Sequence, residues 1–107
     1  MSEKPTVEIT PKSLPTMLTG GKLTLTCKVN KATSKIIWKK NGVSKIPRAH
    51  ISENGDTLVI DGVEAGDSGD YFCEAHNQAG SVTSSIVKIK VRGKMDSFVI
   101  LEITRNE

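Results

Sequence analysis

Two cysteines, Cys27 and Cys73, and two histidines, His50 and His76, are the side chains best suited to redox, metal or nucleophilic chemistry. Their spacing supports none of these. Neither cysteine belongs to a C-x-x-C pair, the spacing of redox motifs and zinc half-sites. Two cysteines with two scattered histidines give a zinc ion little to bind. The histidines read as solvent-facing, His76 pointing outward from a late strand. The acids Glu64, Asp67 and Asp70 crowd one turn. There is no G-x-S-x-G elbow, no phosphate-cradling glycine loop and no His-Cys-Asp cluster. Without a convergent set of catalytic groups the chain reads as a non-enzyme, and it calls for no cofactor and no metal.

Charge and composition narrow the partners. The 107 residues carry a net charge of +3 with mixed sign, and the longest Lys/Arg run is Lys39-Lys40. One Trp and one Tyr provide few stacking rings. Nucleic-acid binding needs a denser basic face or more aromatics, so it is not expected. The longest apolar run, Phe98-Val99-Ile100-Leu101, is far below the ~20 residues of a membrane helix. No direct membrane insertion is expected. Residues 1–5 lack an apolar signal-peptide core and read as a leader ahead of the domain. Hydrophobic content of 36% and charged content of 25% suit one globular domain.

The elements that would position these residues are short strands. Lys22 to Val29 alternates strictly, with Leu23, Leu25, Cys27 and Val29 on one face. That period of two marks a half-buried strand. Thr6 to Ile9 alternates, breaks at Pro11 and Pro15, and resumes near Met17 and Leu18. Ile36 to Lys39 is a strand ended by Asn41-Gly42, a tight-turn pair. Arg48 to Glu53 forms a short strand, and Thr57 to Ile60 another with Leu58 and Ile60 facing one way. Tyr71 to His76 places Tyr71, Cys73 and Ala75 together. Ser84 to Arg92 closes the set with Val87, Ile89 and Val91 inward. About eight strands at roughly ten-residue spacing imply an all-β sandwich or barrel.

The series Leu58, Ile60, Val63, Asp67, Gly69, Tyr71, Cys73, Ala75, Asn77 resembles the intermediate-set (I-set) signature of the immunoglobulin superfamily. Cys73 follows Cys27 by 46 positions (73 − 27) and Trp38 follows it by 11 (38 − 27), in similar agreement. The resemblance spans about residues 5–92. It implies an immunoglobulin-like β-sandwich of two antiparallel sheets with Greek-key connections, over residues 6–92. It also implies that Cys27 and Cys73 bridge the sheets beneath Trp38. Bridged, they would stabilise the fold by roughly 4 kcal/mol; reduced, they would serve as small apolar core residues. Trp38, Tyr71, Leu25 and Leu58 would build the core. Tyr71 resembles the tyrosine corner. Arg48 and Asp67 resemble the family's ion pair, expected to be bidentate. The short span from Asn41 to Pro47 has room for one further strand, fewer than a variable-type domain needs.

Function then follows the surface. Strand parity puts Ile37, Phe72 and Ile86 outside on the sheet of strands C, F and G in the family's lettering. Lys39, Lys88 and Lys90 lie around them. An apolar centre with a charged rim is the form of a protein interface. The resemblance implies a protein-recognition or adhesion module of a larger cell-surface molecule or receptor, with an extracellular location. Its alternatives are an intracellular link in a titin- or twitchin-like muscle filament and an accessory domain of a kinase. Candidate partners are a protein and a second copy of the chain, through the C–F–G face or the C-terminal strand. A sulfated glycan on the lysine row is a further candidate. Residues 93–107 form an extension whose apolar stretch Phe98 to Ile103 reads as strand-like. It is either the start of a next domain, a remnant, or an added edge strand.

Overall fold

The computed structural model describes residues 5–30 and 35–93. The elements are β1 (Val7–Thr10), β2 (Met17–Leu18), β3 (Lys22–Val29), β4 (Lys35–Lys40), β5 (His50–Ile51), β6 (Thr57–Asp61), a 3₁₀ turn at Ala65–Asp67, β7 (Gly69–Asn77), β8 (Gly80–Thr83), β9 (Val87–Ile89) and β10 (Val91–Arg92). One antiparallel sheet has the order β1-β3-β6-β5. The other has β4-β7-β8, with β9 also pairing β7. After a cis Thr10–Pro11 peptide the first strand changes sides, and β2 runs parallel to β10. Two facing antiparallel sheets make this an immunoglobulin-like sandwich.

Alternation explains which residues fill the gap between the sheets. Along β3, Leu23, Leu25 and Cys27 are buried while Lys22, Thr24 and Lys28 are exposed. Along β6, Leu58 and Ile60 face the same core. From the opposite sheet come Trp38, Tyr71, Cys73 and Val87. Cys27 and Cys73 are joined, their Cα atoms 6.3 Å apart, a separation ordinary for a disulfide. Trp38 stands opposite Cys73 in register, so the indole lies beside the bridge. Its Nε1–H donates to the Gly55 carbonyl at 2.8 Å, which satisfies the ring's one polar group.

A second knot closes the end of the sandwich at the 3₁₀ turn. The Tyr71 hydroxyl donates to the Asp67 carbonyl at 2.6 Å. The buried Asp67 carboxylate accepts from the Glu64 amide at 2.7 Å and from Arg48 Nη1 at 2.5 Å. The Arg48 pair is not bidentate. The guanidinium splits its fork, and Nη2 donates instead to the Gly62 carbonyl. One cation thus ties both the carboxylate and the chain entering the turn.

Three further details depart from the sequence reading. The expected strand from Ser84 to Arg92 begins earlier and breaks twice. Glu74 pairs with Thr83 but Tyr71 with Val87, so three residues of the last strand face two of β7. This is a β-bulge. It is held by Ser84, whose Oγ accepts from the Cys73 amide at 3.0 Å and whose own amide donates to the Cys73 carbonyl. The expected strand from Arg48 to Glu53 shrinks to His50–Ile51, because Arg48 takes a left-handed φ of 67°. Between Asn41 and Pro47 only Val43 pairs, with Lys40. Asn41 and Gly42 both have positive φ, which turns the chain straight back after β4. The expected strand at Phe98 to Ile103 lies outside the described residues.

Two stability changes follow. Trp38→Ala should cost about 3–5 kcal/mol in denaturant unfolding, as a large-to-small change in a closed core. Burial, followed by the Asp67 charge, pushes Tyr71 from 10.0 up to about 12. A raised folded-state value favours the neutral phenol. Its contribution is complete below pH 10 and is lost as pH rises through 12. Alkaline unfolding should therefore steepen across that window, and Tyr71→Phe should flatten it.

Candidate protein-interaction face

Odd-numbered residues of β4 and even-numbered residues of β7 share the outer face of their sheet. Register sets Ile37 opposite Glu74 and Lys39 opposite Phe72. Ile37 and Phe72 are therefore diagonal neighbours, each half-buried. Ile86 is 52% exposed. It precedes Val87, the partner of Tyr71, so it stands next to Phe72 across the bulge. Lys88 faces Asp70 one step further along, and Lys90 is exposed.

The three apolar residues are not one unbroken patch. Lys39 Nζ lies 2.8 Å from Glu74 Oε2, on the diagonal that crosses the one joining Ile37 to Phe72. His76 Nε2 lies 3.1 Å from the other oxygen of Glu74. Glu74 therefore ties strand to strand at the centre of the face, with only 17% of its side chain exposed. The Lys39 hydrogen bond, and then His76, hold its carboxyl below the ordinary 4.5, against the opposing effect of burial. His76 is thus a partner of Glu74 rather than a free solvent-facing ring. Sequence reasoning read His76 as solvent-facing and missed its pairing with Glu74. The alternate spacing that puts both on one face of β7 was the signal.

A second feature lies along β4, the last strand on that side of the sheet among the described residues. Ile36, Ile37, Trp38, Ser44, Ile46 and Ala49, with Ile51, line an open groove of about 230 Å³. It had no counterpart in the sequence reading, because it forms only where β4 and β5 belong to different sheets. No group of three His, Cys, Asp or Glu able to hold a metal occurs among the described residues.

A family model described as immunoglobulin domain matches residues 4–77. The chain belongs to the immunoglobulin domain family. This immunoglobulin domain is 35% identical over 85 residues to protein sax-3 of Caenorhabditis elegans, covering 78% of the chain and 7% of sax-3. It is 38% identical over 98 residues to junctional adhesion molecule A of Rattus norvegicus, covering 77% of the chain and 31% of that protein. It therefore spans less than a third of either relative. Among solved structures it resembles the tandem Ig repeats of Dlar, with a TM-score of 0.70 and 26% identity over 84% of this chain and 49% of that one.

The Glu74 cluster carries its own test. Its folded-state value is depressed, so its contribution is present above pH 4.5 and lost as pH falls through the depressed value. Lys39→Met should move the Glu74 titration up toward 4.5 in carboxyl-carbon NMR, with the fold unchanged.

Proposed function

We propose that this immunoglobulin domain is a non-catalytic protein-recognition module of a larger cell-surface adhesion molecule or receptor. Its contact surface is the outer face of β4, β7 and β9. The observation that carries the reading is Ile86, a large apolar side chain left 52% exposed beside Phe72. Lys88 and Lys90 flank it, and the paired Lys39 and Glu74 lie beyond Phe72. Phe72 and Ile86 adjoin on this face, and Ile37 lies on the other side of the Lys39–Glu74 ion pair. An interface uses such a centre for desolvation and the charged rim for register and orientation. The disulfide fits an oxidising compartment outside the cell. The similarity to a junctional adhesion molecule supports the same location. The partner is the surface of another ectodomain, a second copy of this chain among the candidates. The row Lys88 and Lys90 favours an acidic counterpart.

The test is binding of the purified chain to an array of cell-surface ectodomains and to itself. Ile86→Asp and Lys88→Glu should each weaken a detected interaction about tenfold or more, as changes near the centre of a contact do. Lys28→Glu, on the outer face of β3, should leave it unchanged. Loss through Lys28→Glu with none through Ile86→Asp would move recognition to the opposite sheet.

A further inference from the structure

Two turns carry the pair Asn-Gly, at Asn41-Gly42 and at Asn54-Gly55. Such a pair can modify itself. The glycine main-chain nitrogen attacks the asparagine Cγ, with no side chain on the glycine to obstruct it. A bond forms from Cγ to that nitrogen, and the bond from Cγ to the side-chain nitrogen breaks. The glycine N–H proton leaves with the side-chain nitrogen as ammonia. Water then opens the five-membered succinimide at either carbonyl, giving aspartate or isoaspartate. Nothing is oxidised or reduced, and water is the only co-reactant. Both asparagines are exposed, so access does not separate them. Their surroundings do.

Ring closure at Asn41 would undo a set of hydrogen bonds. Its Oδ1 accepts from the Asp70 amide at 2.9 Å, and its own N–H donates to the Asp70 carbonyl at 2.8 Å. Its side-chain amide lies so close on Gly69 that a Cβ there would stand 3.0 Å from both Oδ1 and Nδ2. The residue holds a left-handed φ of 52° inside the Lys40–Val43 pair, whose two hydrogen bonds measure 2.9 and 3.0 Å. A succinimide eclipses Cβ with the next nitrogen. A left-handed residue in a two-residue hairpin does not have that rotation, so forming the ring at Asn41 would open the hairpin.

Asn54 is held more lightly. Its Oδ1 accepts from the Ser52 hydroxyl at 2.9 Å. The same hydroxyl lies 3.0 Å from Asp56 Oδ1, so its one hydrogen has a second acceptor when Asn54 turns away. The Gly55 N–H donates to the Ser52 carbonyl at 2.9 Å, and attack by this nitrogen breaks that bond. While the Ser52 hydroxyl still points at Oδ1, it stabilises the negative charge that develops there as the nitrogen adds.

We propose that Asn54 is a site of self-catalysed deamidation in the folded chain, that the fold shields Asn41, and that the product disturbs Trp38. The Gly55 carbonyl accepts the Trp38 Nε1–H at 2.8 Å. Isoaspartate at position 54 lengthens the main chain by one methylene immediately before Gly55 and displaces that acceptor. The new carboxylate also stands near Asp56 across the Ser52 hydroxyl, like charge beside like charge.

The test is incubation of the full chain at mildly alkaline pH, followed by peptide mapping with mass spectrometry. Asn54 should convert about tenfold faster than Asn41 or more, because Asn41 must give up additional hydrogen bonds. In denaturant, with the disulfide reduced, the two rates should converge. Emission from Trp38, the chain's one tryptophan, should move to the red in step with isoaspartate. Asn54→Gln, which would need a larger ring, should abolish that movement. Conversion at Asn41 as fast as at Asn54 in the folded chain would overturn the proposal. So would an Asn54 that stays intact, a preference for Asn54 that persists in denaturant, or Trp38 emission that holds still while isoaspartate accumulates.

Discussion

The contact among Cys27, Cys73 and Trp38 is the constraint from which the rest of this structure follows. A disulfide between β3 and β7 fixes the distance between two sheets that share no backbone hydrogen bonds at that point. It closes a loop long enough to remove roughly 4 kcal/mol worth of freedom from the unfolded chain. The indole opposite Cys73 fills the space around the bridge and reaches Gly55 with its one polar group. Once these three residues face inward, parity along each strand is settled. Leu23, Leu25, Leu58 and Ile60 must point in, and Ile37, Phe72 and Glu74 must point out. The proposed recognition face is thus the reverse side of the core.

The knot at the 3₁₀ turn does a complementary job. It gathers Asp67, Tyr71 and Arg48, and the Tyr71 hydroxyl and both terminal nitrogens of Arg48 find acceptors in neighbouring segments. A buried carboxylate is tolerable only with such partners. Fixing this end sets where β7 begins, and so which residues of β7 stand opposite β4. The bulge at Ser84 then adjusts the last strand by one residue, which brings Ile86 beside Phe72 and keeps Val87 in the core.

Much of this was legible in the residues themselves. Strict alternation in β3, and the positions of Cys27, Trp38 and Cys73, carried both the fold class and the inward set, because a period of two leaves little freedom once one face is apolar. The tight turn at Asn41-Gly42 was readable for the same local reason. The bulge was not, since Ser84 looks like any polar strand residue until its hydrogen bonds to Cys73 are seen. Arg48 as a forked clamp could not be read either, because its second acceptor is a backbone carbonyl that carries no sequence signal. On the outer face, the types of Ile37, Phe72 and Ile86 were readable. The ion pair that crosses between the first two depends on register, which sequence expresses only weakly.

Everything above rests on Cys27 and Cys73 being bonded in the native molecule. The most direct measurement of that bond is thiol titration in denaturant of protein prepared without reductant, with intact mass alongside. With the bridge in place there should be no titratable thiol and a mass lower than that of the reduced chain by two hydrogens. Two free thiols that persist under mild oxidation would contradict it, and would remove the support the bridge lends to a place outside the cell.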